Sequence, residues 1–173
     1  CFKFPRPTTE KLNKLYEKGN LSHWQYELIH RDDWIVAFDW IYSTFNSGSI
    51  LDIGCWDGQF LLNFDKTRFQ LFGVEINPKA REKAESKGIK IICNNIYELN
   101  SVSICCEIIT AFDVIEHLDE PLKFLEIISN LTKKNGLIII ASGNTNATTW
   151  KIMKNKYWYC SIPEHISFIN TDW

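Results

Sequence analysis

The chain has 173 residues, 45% of them hydrophobic and 14% aromatic, the size and composition of one domain with a substantial core. Its 19 basic and 21 acidic side chains leave a formal charge of −2 with no long run of one sign, so the electrostatic footprint of a nucleic-acid binder is absent. No stretch approaches the roughly 20 uninterrupted apolar residues of a membrane span, and the first residues lack the apolar core of a secretion signal, which reads as a soluble, cytoplasmic protein.

Thr8 to Lys18, with a Thr-Thr-Glu opening and apolar Leu12, Leu15 and Tyr16, predicts a short amphipathic helix. Asp32 and Asp33 cap a second, in which Trp34, Phe38, Ile41 and Phe45 recur at helical spacing. Residues 1–47 thus form a helical extension, and 48–173 the main domain. From Ile50 short apolar runs at Ile50 to Ile53, Gln70 to Glu75, Ile89 to Cys93, Glu107 to Phe112 and Leu137 to Ala141 predict strands covered on both faces. Between them one helix opens near Gly58, and another follows Asn77-Pro78 and stops at Gly88. A third starts by Pro121, buries Leu122, Leu125, Ile128 and Leu131, and ends at Asn135-Gly136. This alternation specifies an α/β fold with a doubly wound, mostly parallel sheet. The six cysteines make no CxxC pair and no disulfide framework, and they read as reduced thiols.

The segment Ile50 to Phe60 sends a strand directly into glycines. Glycine permits a sharp turn and close approach of a ligand, while a following helix would present unpaired N–H groups. The spacing is Gly54-x-x-x-Gly58 rather than the G-x-G-x-x-G that cradles a dinucleotide pyrophosphate. Asp52, at the strand end, suits a ligand ammonium group. Glu75 ends the second strand, where an acidic side chain in a nucleotide-binding unit accepts hydrogen bonds from both ribose hydroxyls.

These residues resemble the class I S-adenosylmethionine (SAM) dependent methyltransferases, in particular the small-molecule group with the ubiquinone-type O-methyltransferases and the type 11 and type 23 families. The resemblance is carried by LDIGCWDGQFL, FGVEINPKAREKAESKGIKII, ITAFDVIEHLDEPLKFLEIISNLTKKNGLIII and YWYCSIPEHISFIN, which cover most of residues 50 to 170. It implies a Rossmann-like sheet of order 3-2-1-4-5. It also implies that Asp52, Gly54, Cys55 and Gly58 surround the methionine portion of SAM, Glu75 the ribose, Ile76 with Asn95 and Ile96 the adenine, and Ala111, Phe112 and Asp113 the methionine end. Trp56 replaces the customary middle glycine, so its ring is expected to turn away from the cofactor.

Asp113, Glu116 and His117 resemble a set that binds a divalent ion in some ubiquinone-type relatives; the bland alternative, that Glu116 and His117 shape the pocket and the following turn, is favoured, and no metal is expected. His165 is either a base for a hydroxyl acceptor or hydrogen-bonded structure, and His117 is the second candidate base. His23 and His30 read as structural, and the aromatics from Trp150 to Tyr159 as core or lid, with lid favoured. The expected activity is O-methylation of a small molecule, such as a sugar or quinone-like phenol, by direct displacement. A nicotinamide-dependent oxidoreductase and a non-catalytic SAM-binding partner subunit are the alternatives. The resemblance further implies that the closing strands of the sheet are missing, and an open edge of that kind favours pairing, as in a homodimer, or partial disorder.

Overall fold

The computed structural model describes residues 31–170, together with Pro7, Thr8, Glu10 and Lys11. Most of the expected Thr8 to Lys18 helix, with His23 and His30, lies outside the described residues. The first described helix, α1 (Asp32–Thr44), buries Ala37 and Ile41 and leads into β1 (Gly48–Ile53). Then follow β2 (Phe69–Val74), α2 (Pro78–Ser86), β3 (Lys90–Cys93), β4 (Cys106–Phe112), α3 (Pro121–Leu131), β5 (Thr132–Ala141), and two short helices, α4 (Thr148–Met153) and α5 (Trp158–Ser161). All five strands are parallel, in the order β3-β2-β1-β4-β5.

Strand alternation divides the core between two faces. Leu51, Ile53, Ile109 and Ala111 point to the side where α3 contributes Phe124, Ile128 and Leu131. Ile50 and Ile108 point to the side closed by α1 and by Ala84 of α2. Asp52 follows Ile50 by two residues, and Thr110 follows Ile108, so both lie on the α1 face. The register also places Asp52 beside Thr110.

Three expectations change. Only one 3-10 turn (Leu61–Asn63) stands where a helix was expected after Gly58. Asp65 spends its carboxylate on a tight turn there, accepting from the N–H and hydroxyl of Thr67. Second, α3 ends at Leu131 rather than at Asn135-Gly136. Thr132 turns its hydroxyl back to the Ile128 carbonyl, and the chain joins β4 at once, pairing Thr132 with Cys106. Third, Leu122 is 70% exposed, because the buried stripe runs through Pro121, Phe124, Ile127, Ile128 and Leu131.

Candidate functional site

The turn after β1 is shaped by two glycines. Gly54 has φ +74, and a Cβ there would lie 2.8 Å from Val114 Cγ2; Gly58 has φ +80, and a Cβ there would lie 1.9 Å from Ile89 Cδ1. Gly54 is exposed and open to a ligand, whereas Gly58 is buried and lets the turn pack on the entry to β3. Between them Trp56 takes φ +50, the left-handed region where a glycine was anticipated, and is half-buried. Cys55 is buried, with Sγ packed where a Cβ on Gly73 would fall, so its side chain belongs to the core.

Four N–H groups of this turn are already paired within the protein. Gly54 and Cys55 both donate to the Val74 carbonyl, at 2.8 and 3.1 Å, and Gly58 donates to Cys55. Trp56 donates to Glu75 Oε2 at 2.9 Å. Without a following helix, and with these four donors taken, the turn lacks the helix N-terminus on which a pyrophosphate is ordinarily held.

Glu75 is buried and also accepts from the Asn77 N–H through Oε1 at 2.7 Å. Burial pushes its proton affinity up, against those backbone bonds. A carboxylate has about four acceptor sites, which leaves capacity for ligand hydroxyls. Asp52, 3% exposed, accepts from the Thr110 hydroxyl at 2.7 Å, and burial raises its pKa to about 7. A cation seated beside it would favour its ionised form.

At the end of β4, Ala111 is buried in the core and Phe112 is half-buried against Phe60, with ring centroids 4.7 Å apart. Asp113 follows with φ +53 and pairs with Arg31 Nη1 at 2.8 Å. Asn95 and Ile96 open the 3-10 segment after β3, where Asn95 Oδ1 accepts from the Tyr97 N–H at 3.0 Å and Ile96 packs on the core. Ile76 is half-buried beside Glu75.

Beyond β4 the chain builds a second cluster. Glu116 is fully buried and accepts from Ser142 Oγ at 2.9 Å and from the Tyr159 hydroxyl. Burial lifts its pKa to about 7. Its backbone carbonyl accepts from Ile166 and Ser167, both at 2.9 Å, so Glu116 ties down the returning segment. His117 Nδ1 faces the Glu164 carbonyl at 3.2 Å, and desolvation lowers its pKa to about 4. His165 is buried, its Nδ1 faces the Tyr159 carbonyl at 3.0 Å, and its ring lies 4.8 Å from that of His117. Glu116, His117 and His165 each offer one ligand atom within 4.8 Å of the others, so an imidazole from the distant segment takes the place that Asp113, paired with Arg31, was given in the ion-binding set. Trp150 and Tyr159 join Phe168 in a small core of their own, and Trp158 stands 60% exposed, so this aromatic stretch is mostly core.

Sequence reasoning missed Thr110, Arg31, Trp34, Ser142 and Tyr159. Strand alternation could have found Thr110, which is two residues beyond Ile108 on the face of Asp52; Arg31, Ser142 and Tyr159 meet Asp113 and Glu116 only through the tertiary fold.

A model of a methyltransferase domain family, type 23, matches residues 36–172. The chain belongs to that family. The family is one of methyltransferases that use S-adenosylmethionine, which supports the methyltransferase reading over the oxidoreductase one. Among solved structures it resembles a SAM-dependent methyltransferase of Thermotoga maritima, named as a possible histamine N-methyltransferase, with 17% identity over 93% of this chain and 75% of that one and a TM-score of 0.65. The YcgJ protein of Bacillus subtilis matches with 18% identity over 83% of this chain and 64% of that one, at a TM-score of 0.67. The plantazolicin methyltransferase BpumL, solved with SAH (S-adenosylhomocysteine), matches with 21% identity over 79% of this chain and 56% of that one, at 0.60. No curated protein matches the sequence. Among the described residues, no helix is long and apolar enough to cross a membrane.

The residues present fit SAM. An exposed glycine lies beside a buried carboxylate, and the second-strand glutamate reaches the same turn.

Proposed function

We propose that this methyltransferase methylates a hydroxyl of a small molecule and seats SAM across the carboxyl ends of β1, β2 and β4. Bound SAM supplies an electrophilic methyl carbon on a sulfonium sulfur. Asp52 and Asp113 hold the ammonium end of the cofactor, with the backbone of Gly54, Cys55, Ala111 and Phe112 beside it. Glu75 holds the ribose hydroxyls; Ile76, Asn95 and Ile96 border the adenine. Asn95 serves there through the remaining acceptor capacity of its carbonyl, since Oδ1 already caps Tyr97.

On the acceptor side, His117 takes the proton of the hydroxyl through Nε2, because Nδ1 faces the Glu164 carbonyl. Its depressed pKa keeps it neutral, and therefore able to accept, throughout the physiological range. His165 packs against it and sets the ring plane. This chain's own part in the transfer is to orient the hydroxyl and to receive its proton at His117 Nε2. Most of the rate comes from alignment and exclusion of water, which need few catalytic side chains.

The observation that carries this reading is the bond from the Trp56 N–H to Glu75, which joins the acidic residue of β2 to the glycine turn of β1. Calorimetric titration with SAH and with NAD tests it. SAH binding that Glu75→Ala removes is the expected result, and binding of NAD alone would reverse the assignment. Turnover of SAM with a panel of phenol and sugar hydroxyl acceptors tests the acceptor class; methylation confined to amines would overturn the choice of oxygen.

A further inference from the structure

The chain from Ala147 to Pro163 is anchored from within and apolar on its outside. Trp150 and Tyr159 sit with Phe168 in the small separate core, which fixes α4 and α5 to the body of the domain. Ile152 follows Trp150 by two residues, about 200° around a helix, and so leaves α4 on the side away from that core. It is 75% exposed, and Met153 and Trp158 are exposed with it. Lys151, Lys154 and Lys156 stand exposed among these three side chains, and none of them forms an ion pair among the described residues. No Asp or Glu occurs from 147 to 163, so three lysines against no acid give this stretch +3 in a chain of formal charge −2. A second exposed apolar group lies on α1, at Ile35, Val36 and Trp40, but there the charges are Asp32, Asp33 and Asp39 with no basic residue.

We propose that the α4–α5 segment docks the protein peripherally on an anionic lipid bilayer. Exposed isoleucine, methionine and tryptophan interleaved with unpaired lysines suit a lipid–water boundary. The aliphatic side chains enter the acyl region, the indole rests at the level of the headgroups, and the lysine stems lie along apolar surface with their ammonium groups on lipid phosphates. An anionic partner without an apolar layer would pair with the lysines and leave Ile152 and Trp158 in water. The competing occupant is a second copy of this chain, whose acidic α1 face would meet the basic segment. The segment also reaches the acceptor side, because Tyr159 donates to Glu116 and its carbonyl faces His165. Docking goes beyond the methyl-transfer reading and does not depend on it.

The test is cosedimentation of the whole chain with vesicles of phosphatidylcholine alone and of an equal mixture with phosphatidylglycerol. The wild-type protein should bind the mixed vesicles about 100-fold more tightly than the neutral ones, the factor for three lysines at an anionic surface, and should lose that margin as salt is raised. The triple variant Lys151→Gln, Lys154→Gln, Lys156→Gln should remove the margin at low salt. Ile152→Ser and Trp158→Ser should each weaken binding to the mixed vesicles by about tenfold and leave its salt dependence in place. Near-UV circular dichroism checks the fold of each variant; should Trp158→Ser fail to fold, Ile152→Ser and the triple variant carry the same comparison. A wild-type protein that ignores the mixed vesicles, or binds both kinds alike, overturns the proposal, as do variants that bind as the wild type does. Self-association in sedimentation velocity that the triple variant abolishes, with vesicles ignored, also overturns it and gives the segment to a second copy. Vesicle binding involves no methyl transfer, so either result leaves the cofactor reading to its own test.

Discussion

At the cofactor end of the sheet the ionisable groups are fixed by strands: Glu75 by the N–H groups of Trp56 and Asn77, Asp52 by its register neighbour Thr110. At the acceptor end they are fixed by side chains from far along the sequence, with Glu116 held by Ser142 and Tyr159, and His117 by the Glu164 carbonyl. Backbone and register set the first group at the ends of the adjacent strands β1, β2 and β4, whereas the second exists only once residues 142–170 have folded back over the end of β4. Changes in the first region should therefore act on cofactor affinity, and changes in the second on turnover and stability.

The largest effect is expected at Glu75. Removing two charge-assisted bonds of about 1.5–3 kcal/mol each weakens SAH binding by at least about 100-fold in Glu75→Ala, read by calorimetry. Next comes Gly58→Ala, which combines a positive φ with a Cβ placed on Ile89. It should cost about 2–4 kcal/mol in chemical denaturation. Adding Ile89→Val removes the clashing Cδ1 and should recover part of that loss.

Asp52→Asn comes third and separates binding from stability. In the folded protein Asp52 titrates at about 7, well above an ordinary carboxylate. The folded state thus holds a proton that the unfolded chain releases, and this contribution to stability is lost as pH rises from about 4 through about 7. Asparagine keeps a partner for Thr110 without the buried charge, so above neutrality the ligand-free variant should melt a few degrees higher than wild type. Binding moves the other way: wild-type affinity for SAH should tighten as pH rises toward about 7, by up to about tenfold per unit, while the variant shows a flatter profile.

The acceptor region gives the smallest effects on the cofactor. Tyr159→Phe deprives buried Glu116 of a donor and should cost about 1–3 kcal/mol of stability with lower turnover, yet leave SAH affinity within about threefold. A large loss of SAH affinity in that variant would erase the distinction between the two regions.

Legibility followed the same division. The order of elements, the glycine turn and Glu75 were readable because each is written in a few consecutive residues under strand or turn constraints. Asp52 was readable as a carboxylate, but the Thr110 bond needed the β1–β4 register. The helix expected after Gly58 failed because Asp65, an ordinary loop residue by composition, closes a turn there. Leu122 and Phe124 are both apolar, and only packing chooses which faces the sheet. Arg31 reads as one more surface cation until Asp113 is brought to it across the fold.

Cofactor binding depends on one grip, that of the Glu75 carboxylate on a ribose beside the glycine turn. Titration of SAH into the wild-type protein and into Glu75→Ala tests it most directly. Micromolar binding by the wild type, lost in a variant that still melts cooperatively, is the predicted result. A folded wild-type protein that takes up no SAH at millimolar concentration, or a variant that binds it unchanged, would contradict the account.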